Sequence, residues 1–404
     1  MIGRRMEEIG LRLDRKSSEM MKNTYLQLIE LVRRVLKGDE GQLNTELFPD
    51  VNDIEMWKNI FNLAVMQEVS VFLYEATKTI ELPEKVRNNF YFVYNRAVRK
   101  EAIMHFEISN YFAALDREKI TYLPIKGWNL KNLYAKPYLR TMTDVDVIVR
   151  RDGFERACEI AKECEFHFEA GGEAHHVFVK KPVTELEVHY QLFAERSIFY
   201  QWGQSILEKS NKYKMSDEDA YIYMFAHMAK HFTGEGAGMR NLIDSYLFNK
   251  NYSFSEEQSI YINKTLKELE LDVFEKRIQQ LTEIWFEGGA YDEVAITLTE
   301  YIMDGGLYGK AGNKGSMDLS MNPTSKIKWL AVQIFPDFEY LKKHLGYKNM
   351  YKPLTPIYWI IRIVKGLFHK GRVSTRVASM MKKEDDLIKT KQILDYVGIN
   401  KTRY

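Results

Sequence analysis

Two aspartates interrupt an apolar run in "TDVDVIV", residues 143–149. Val145, Val147, Ile148 and Val149 are β-branched and favour a buried strand. Side chains two apart on a strand share a face, so Asp144 and Asp146 point together while the valines at 145, 147 and 149 point away. Two carboxylates side by side raise one pKa unless a cation sits on both. Magnesium takes oxygen ligands and commonly bridges carboxylates and phosphates, so Mg2+, or Mn2+ in its place, is the expected ion. A third carboxylate belongs on a neighbouring strand. "TELEVHY" (184–190) offers Glu185, Glu187 and His189 on one face, with Leu186, Val188 and Tyr190 towards the core. Alternation does not choose between Glu185 and Glu187.

An anion-holding element is expected beside them. "PIKGWNL" (124–130) reads as a strand, then Lys126 and Gly127, then a helix start. Amides at a helix N-terminus favour anions, glycine admits a phosphate close to the backbone, and lysine adds charge. Arg140, four residues before Asp144, adds more. Carboxylates with metal ions, next to a phosphate cradle, suit displacement at a phosphorus centre. Further along, His227 and His231 stand four apart on one predicted helix, a spacing that can bind metal. No third ligand is evident nearby, so a polar helix face lining a cleft is the plainer reading. Arg240 and Asp244, also four apart, fit a helix ion pair worth a few tenths of a kcal/mol.

The elements that must position these residues fall into three stretches. Residues 1–116 read as helical, with apolar positions 25, 28, 29, 32 and 36 forming one stripe and Pro83 marking a break. Residues 117–205 read as a mixed α/β unit. Its strands lie near 119–127, 143–150, 175–181 and 185–193, and a helix at 152–165 has Asp152 as N-cap. Residues 206–404 return to helices, at 217–232, 239–250, 256–286, 291–303, 326–345, 355–369 and 375–396, with a Gly/Asn/Ser-rich loop at 305–325. "GEGAG" (234–238) follows a helix and not a strand, so it reads as a joint between helices.

Bulk composition narrows the class. The 404 residues are 45% hydrophobic and include 25 Tyr, 22 Phe and 6 Trp, enough for a large core. A formal net charge of +2 gives no global argument for nucleic acid or membrane as partner. Cys158 and Cys164 read as reduced thiols of a cytoplasmic protein. "MIGRRMEEIG" lacks the apolar stretch of a signal peptide, and the longest apolar run, 357–368, contains Arg362 and Lys365 and is too short to span a bilayer. The basic, apolar segment 352–372 reads as a buried C-terminal helix with charged ends; contact with a membrane surface or a partner is its other reading.

The order glycine turn, helix, D-x-D strand, helix, hairpin with a carboxylate resembles the nucleotidyltransferase fold of the DNA polymerase β superfamily. "LPIKGWNLKNLYAKPYLRTMTDVDVIVR" (123–150) is similar to the uncharacterised nucleotidyltransferase family with its "KG…LY…R…D-x-D" signature. That family closes its core with an acidic residue followed two positions later by histidine, which points to Glu187 with His189. Its helical "H…H…R…D" segment corresponds to His227, His231, Arg240 and Asp244, which would then face nucleotide or acceptor. The resemblance implies an α+β fold, with a mixed-sheet core flanked by N- and C-terminal helical regions. It implies transfer of a nucleoside monophosphate from an NTP to an acceptor, with pyrophosphate released. Asp144 and Asp146 would hold the metal ions, Glu187 would bind the catalytic ion and help deprotonate the acceptor, and Lys126 and Gly127 would hold the β/γ-phosphates. The wider superfamily usually has a glycine–serine pair where this chain has Lys126-Gly127 and then Trp128, so a phosphate-holding hydroxyl is missing. A catalytically silent binding or regulatory protein on the same scaffold is the competing reading.

Overall fold

The computed structural model describes residues 15–172, 175–195, 197–209, 215–233, 236–305, 335–338, 341–342, 351–368 and 384–399. Four helices come first: α1 (Arg15–Lys37), α2 (Ile54–Met66), α3 (Val71–Thr77) and α4 (Glu84–Arg117). Asp53 caps α2 by accepting from the amides of Glu55 and Met56. Pro83 precedes α4, whose 34 residues make a rod about 51 Å long.

The central unit holds β1 (Tyr122–Pro124), α5 (Gly127–Leu130), β2 (Val145–Val149), α6 (Phe154–Glu163), β3 (His167–Gly171), β4 (His175–Lys180) and β5 (Thr184–His189). The sheet order is β1-β2-β5-β4-β3. Only β2 and β5 run parallel; the other neighbours are antiparallel. The protein is therefore α+β, with one mixed sheet among many helices. Then follow α7 (Tyr200–Lys209), α8 (Asp217–Phe232), α9 (Met239–Asn251), α10 (Glu256–Glu268), α11 (Asp272–Glu287) and α12 (Glu293–Gly305). The described C-terminal helices are α13 (Thr355–Phe368) and α14 (Glu384–Tyr396).

Alternation along the strands sorts the sheet into two faces. Val145, Val147 and Val149 of β2 and Leu186 and Val188 of β5 join a buried core with Met104, Ile108 and Tyr111 of α4 and Ala157 and Ile160 of α6. Ile148 and Leu123 belong instead to the large helical core built by α1–α3 and α8–α12. Asp144, Asp146, Glu185, Glu187 and His189 share the parity of that second face. The second half of α4 thus covers the sheet, although it belongs to the N-terminal helical stretch.

Several local expectations need correction. β3 is an additional strand at the sheet edge; all five of its residues are exposed, so it carries no buried alternation to read. Asp152 lies in a 3-10 turn (Arg151–Gly153), and Gly153 occupies the cap position of α6. The stretch 256–286 is two helices, α10 with a Ser255–Gln258 capping box and α11 ending at Gly288 in the left-handed region. In segment 352–372, Leu354, Ile357 and Ile360 are exposed and no described side chain is buried, against the expectation of a buried helix. Among the described residues, α13 is held by Trp359, whose indole donates to the Pro336 carbonyl (2.8 Å) and whose ring meets Phe335. The loop expected at 305–325 lies outside the described residues except for Gly305, as does most of 326–345. No helix among the described residues is long and apolar enough to cross a membrane.

Candidate active site

The parallel pairing of β2 and β5 sets Asp146 opposite Glu187. Asp146 is 4% exposed, whereas Asp144, just before β2, sits half-buried at the mouth. The His189 Nε2 lies 3.1 Å from Asp146 Oδ1 and 3.0 Å from Glu187 Oε2. His189 stacks on His175, its partner across β4 and β5, with ring centroids 4.8 Å apart and planes inclined by 22°. From β1's end, Lys126 donates to Asp146 Oδ1 at 2.6 Å.

Electrostatics follow from this packing. Burial pushes the Asp146 carboxyl up, but Lys126 and His189 outweigh it and hold Asp146 well below the usual carboxylate range. The Glu187 pKa is lowered, first by its hydrogen bond with His189. Burial alone would lower the His189 pKa, but its bonds to Asp146 and Glu187 raise it. Asp144 goes the other way: burial, then the charge of Asp146, raise it. Glu185 is likewise raised by burial and by Asp144 and Glu187. The Lys126 ammonium, disfavoured by burial, is kept charged by Asp146.

Lys126 adopts φ 52° and ψ −123°, a left-handed-side conformation that suits glycine. A lysine tolerates it here because its ammonium reaches the buried Asp146. Gly127 has a separate reason. A Cβ there would fall 2.4 Å from Arg140 Nη1 and 2.5 Å from Met142 Sδ. A serine therefore does not fit at 127 while Arg140 stays in place. Trp128 is packed away against α4, stacked on His105 (5.5 Å, 10°), with the Lys131 ammonium 3.5 Å from its ring centroid.

Arg140 stays in place because Asp244 of α9 grips it twice, Nε to Oδ1 at 2.8 Å and Nη2 to Oδ2 at 2.7 Å. Tyr134 donates to the same carboxylate at 2.7 Å, and both charged residues are buried. The expected Arg240–Asp244 pair along one helix is thus replaced. Asp244 turns to Arg140, and Arg240 donates to the Thr141 carbonyl (2.8 Å) and to Glu68 (3.3 Å). The bonds of Asp244 to Arg140 and of Arg240 to the Thr141 carbonyl hold the 140–141 segment that leads into Asp144. These residues brace the site; the carboxylate cluster itself is Asp146, Glu187 and His189.

His227 and His231 face each other, Nε2 to Nε2 at 3.1 Å. Burial, then the charge of Lys126, push His227 well below the ordinary histidine pKa. Among the described residues, the two histidines form no group of three metal-ligating side chains. Two residues escaped sequence reasoning. Tyr223, one turn before His227, is 5% exposed, and among the described residues its hydroxyl has no hydrogen-bond partner. That hydroxyl interacts electrostatically with Lys126 and Asp146. Lys100 of α4 interacts with Glu68, Asp144 and Glu185, and burial lowers its pKa. The four-residue spacing of Tyr223, His227 and His231 was the available signal for the first; nothing local marked the second.

The donor set fits a divalent cation. Asp146, Glu187 and His189 each bring one ligand atom, all within 4.8 Å of one another. No curated protein and no solved structure matches the chain. The family described as uncharacterised nucleotidyltransferase matches residues 54–287, from the start of α2 to the end of α11. With that match covering more than half of the chain, the sheet and the helices that brace it included, this protein belongs to the uncharacterised nucleotidyltransferase family.

Proposed function

We propose that this chain is a divalent-metal-dependent transferase that moves a nucleoside monophosphate from an NTP to an acceptor hydroxyl, on a small molecule, a sugar or a protein, and releases pyrophosphate. The observation that carries this reading is the placing of Asp146 and Glu187 opposite each other on parallel strands, with His189 between them. Asp144, Asp146 and Glu187 would hold Mg2+, or Mn2+. A bound divalent ion supplies charge neutralisation at the phosphates and activation of the attacking oxygen. The chain's own residues do the rest. Lys126 gives its ammonium to a phosphate oxygen when it leaves Asp146, and Glu187, with Glu185 beside it, accepts the hydroxyl proton. His227, His231 and Tyr223 line the side of the cleft facing Lys126. Arg140, Arg240 and Asp244 keep the D-x-D segment in position, so that the gain comes from orientation and charge complementarity.

Family membership supports an NTP as the donor. The test is calorimetric binding of the four NTPs, with and without Mg2+, followed by pyrophosphate release in the presence of candidate acceptors. Metal-dependent binding that Asp146→Asn abolishes is the expected result. The silent-scaffold reading has one observation in its favour: Lys126 already neutralises Asp146 at 2.6 Å. It gains if folded protein binds no NTP under any metal condition, alone or with acceptors present.

A further inference from the structure

We propose that His189 is itself a ligand of the divalent cation, so that an imidazole joins the carboxylates of the site and favours Mn2+ over Mg2+. This rests on the metal-dependent reading above and deepens it.

The geometry is the first argument. In an octahedral site with bonds of about 2.1 Å, neighbouring ligand atoms lie about 3.0 Å apart. His189 Nε2 already sits 3.1 Å from Asp146 Oδ1 and 3.0 Å from Glu187 Oε2. Two edges of a coordination face are thus in place. The ring is also preset: it stacks on His175 across the β4–β5 pair and keeps Nε2 turned towards both carboxylates.

The second, independent argument is Tyr223. Its side chain is 5% exposed, yet among the described residues its hydroxyl has no hydrogen-bond partner. A buried orphan hydroxyl is unfavourable unless something arrives to bond it. The Tyr223 ring lies 5.9 Å from that of His227, one turn on, and the charge of Lys126 acts on both residues. An acidic cluster kept only for structure has no need of such a group.

Chemistry then selects the ion. Mg2+ prefers an oxygen shell and gives up water reluctantly, whereas imidazole binds best to transition-metal ions. A nitrogen donor among the carboxylates therefore raises affinity for Mn2+ relative to Mg2+. The competing role for His189 is a counter-charge that keeps the two carboxylates together without touching a metal. Lys126 bonds the same Asp146 oxygen at 2.6 Å, so an incoming ion must displace its ammonium.

The experiment uses the full chain and the metals alone. Mn2+ bound to the wild type is read by pulsed electron paramagnetic resonance, which detects a directly bonded imidazole nitrogen. Calorimetry gives the affinities for Mn2+ and Mg2+. Expected are a nitrogen coupling in the wild type, its loss in His189→Asn, and a Mn2+-to-Mg2+ affinity ratio that falls about tenfold or more in that variant. If His189→Asn does not fold, Lys126→Met serves: Mn2+ should bind more tightly, with the nitrogen coupling kept. Mn2+ bound with no nitrogen coupling, or with a coupling that His189→Asn retains, overturns the ligand role and leaves the transferase reading standing. A folded wild type that binds neither metal, with or without an NTP, overturns both.

Discussion

Two ion-paired clusters sit within the same signature, and they differ in one respect. In the Arg140–Asp244–Tyr134 cluster the carboxylate is buried and bonded by both partners, and the guanidinium is gripped twice. In the Asp146–Glu187–His189–Lys126 cluster, carboxylates crowd one another, and the Tyr223 hydroxyl, on which Lys126 and Asp146 act, has no hydrogen-bond partner among the described residues. The first is a closed circuit that fixes α9 against the 134–140 segment. The second leaves charge and a hydrogen-bonding group for something else to complete. Satisfied polar networks make structure, and incomplete ones make sites. Residue type alone does not separate the two, since both use an aspartate and a cation.

Breaking the braced cluster should show the largest effect on stability. Asp244→Ala leaves Arg140 buried without its partner and should cost about 3–5 kcal/mol, read as a lowered urea midpoint. A near-neutral outcome would mean that Arg140 finds other partners and that the cluster is no brace. In the other cluster, Asp146→Asn should keep the fold and lower nucleotidyl transfer by about 10²–10³-fold or more, measured as pyrophosphate release. Loss of fold with loss of activity would erase the contrast between the clusters. Gly127→Ser tests the boundary between them. Its side chain must push Arg140 or Met142 aside, so stability should fall by about 1–3 kcal/mol, checked by thermal melting.

A subtler test uses pH. The His189 pKa is raised in the folded, metal-free protein. Its stabilising effect is therefore fully present below the unfolded value of about 6.5, and it disappears as pH rises through the raised folded value. Melting curves in chelator should show the wild type's advantage over His189→Asn largest at acidic pH and shrinking as pH rises. A constant difference would show that the ring acts by packing. The smallest expected effect is at Asp152, which caps nothing: Asp152→Ala should shift stability by less than about 0.5 kcal/mol.

What the sequence revealed depended on range. The β5 alternation of buried Thr184, Leu186 and Val188 with less buried Glu185, Glu187 and His189 is local, and it was legible two residues at a time. So was α8, whose limits follow from Ser216 and three acidic residues in the first turn. Strand β3 was not, because an exposed edge strand needs no apolar face. The Arg140–Asp244 pair joins residues 104 positions apart, and a helix-spacing argument offered Asp244 a nearer but wrong partner. Tyr223 is marked in the sequence only by its four-residue spacing from His227; that its hydroxyl lacks a hydrogen-bond partner among the described residues is a matter of packing. The resemblance ranked Glu187 above Glu185; the register sets Glu187 opposite Asp146.

The most direct measurement is calorimetric titration of each NTP, with Mg2+, Mn2+ or chelator, into the wild type, Asp146→Asn and Asp244→Asn. If the two clusters divide as argued, NTP binding requires metal and vanishes in Asp146→Asn protein that is still folded at the titration temperature, while Asp244→Asn melts early and still binds NTP below its transition. Metal-independent binding, or binding that survives Asp146→Asn, would contradict the assignment of the β2–β5 carboxylates as the active site.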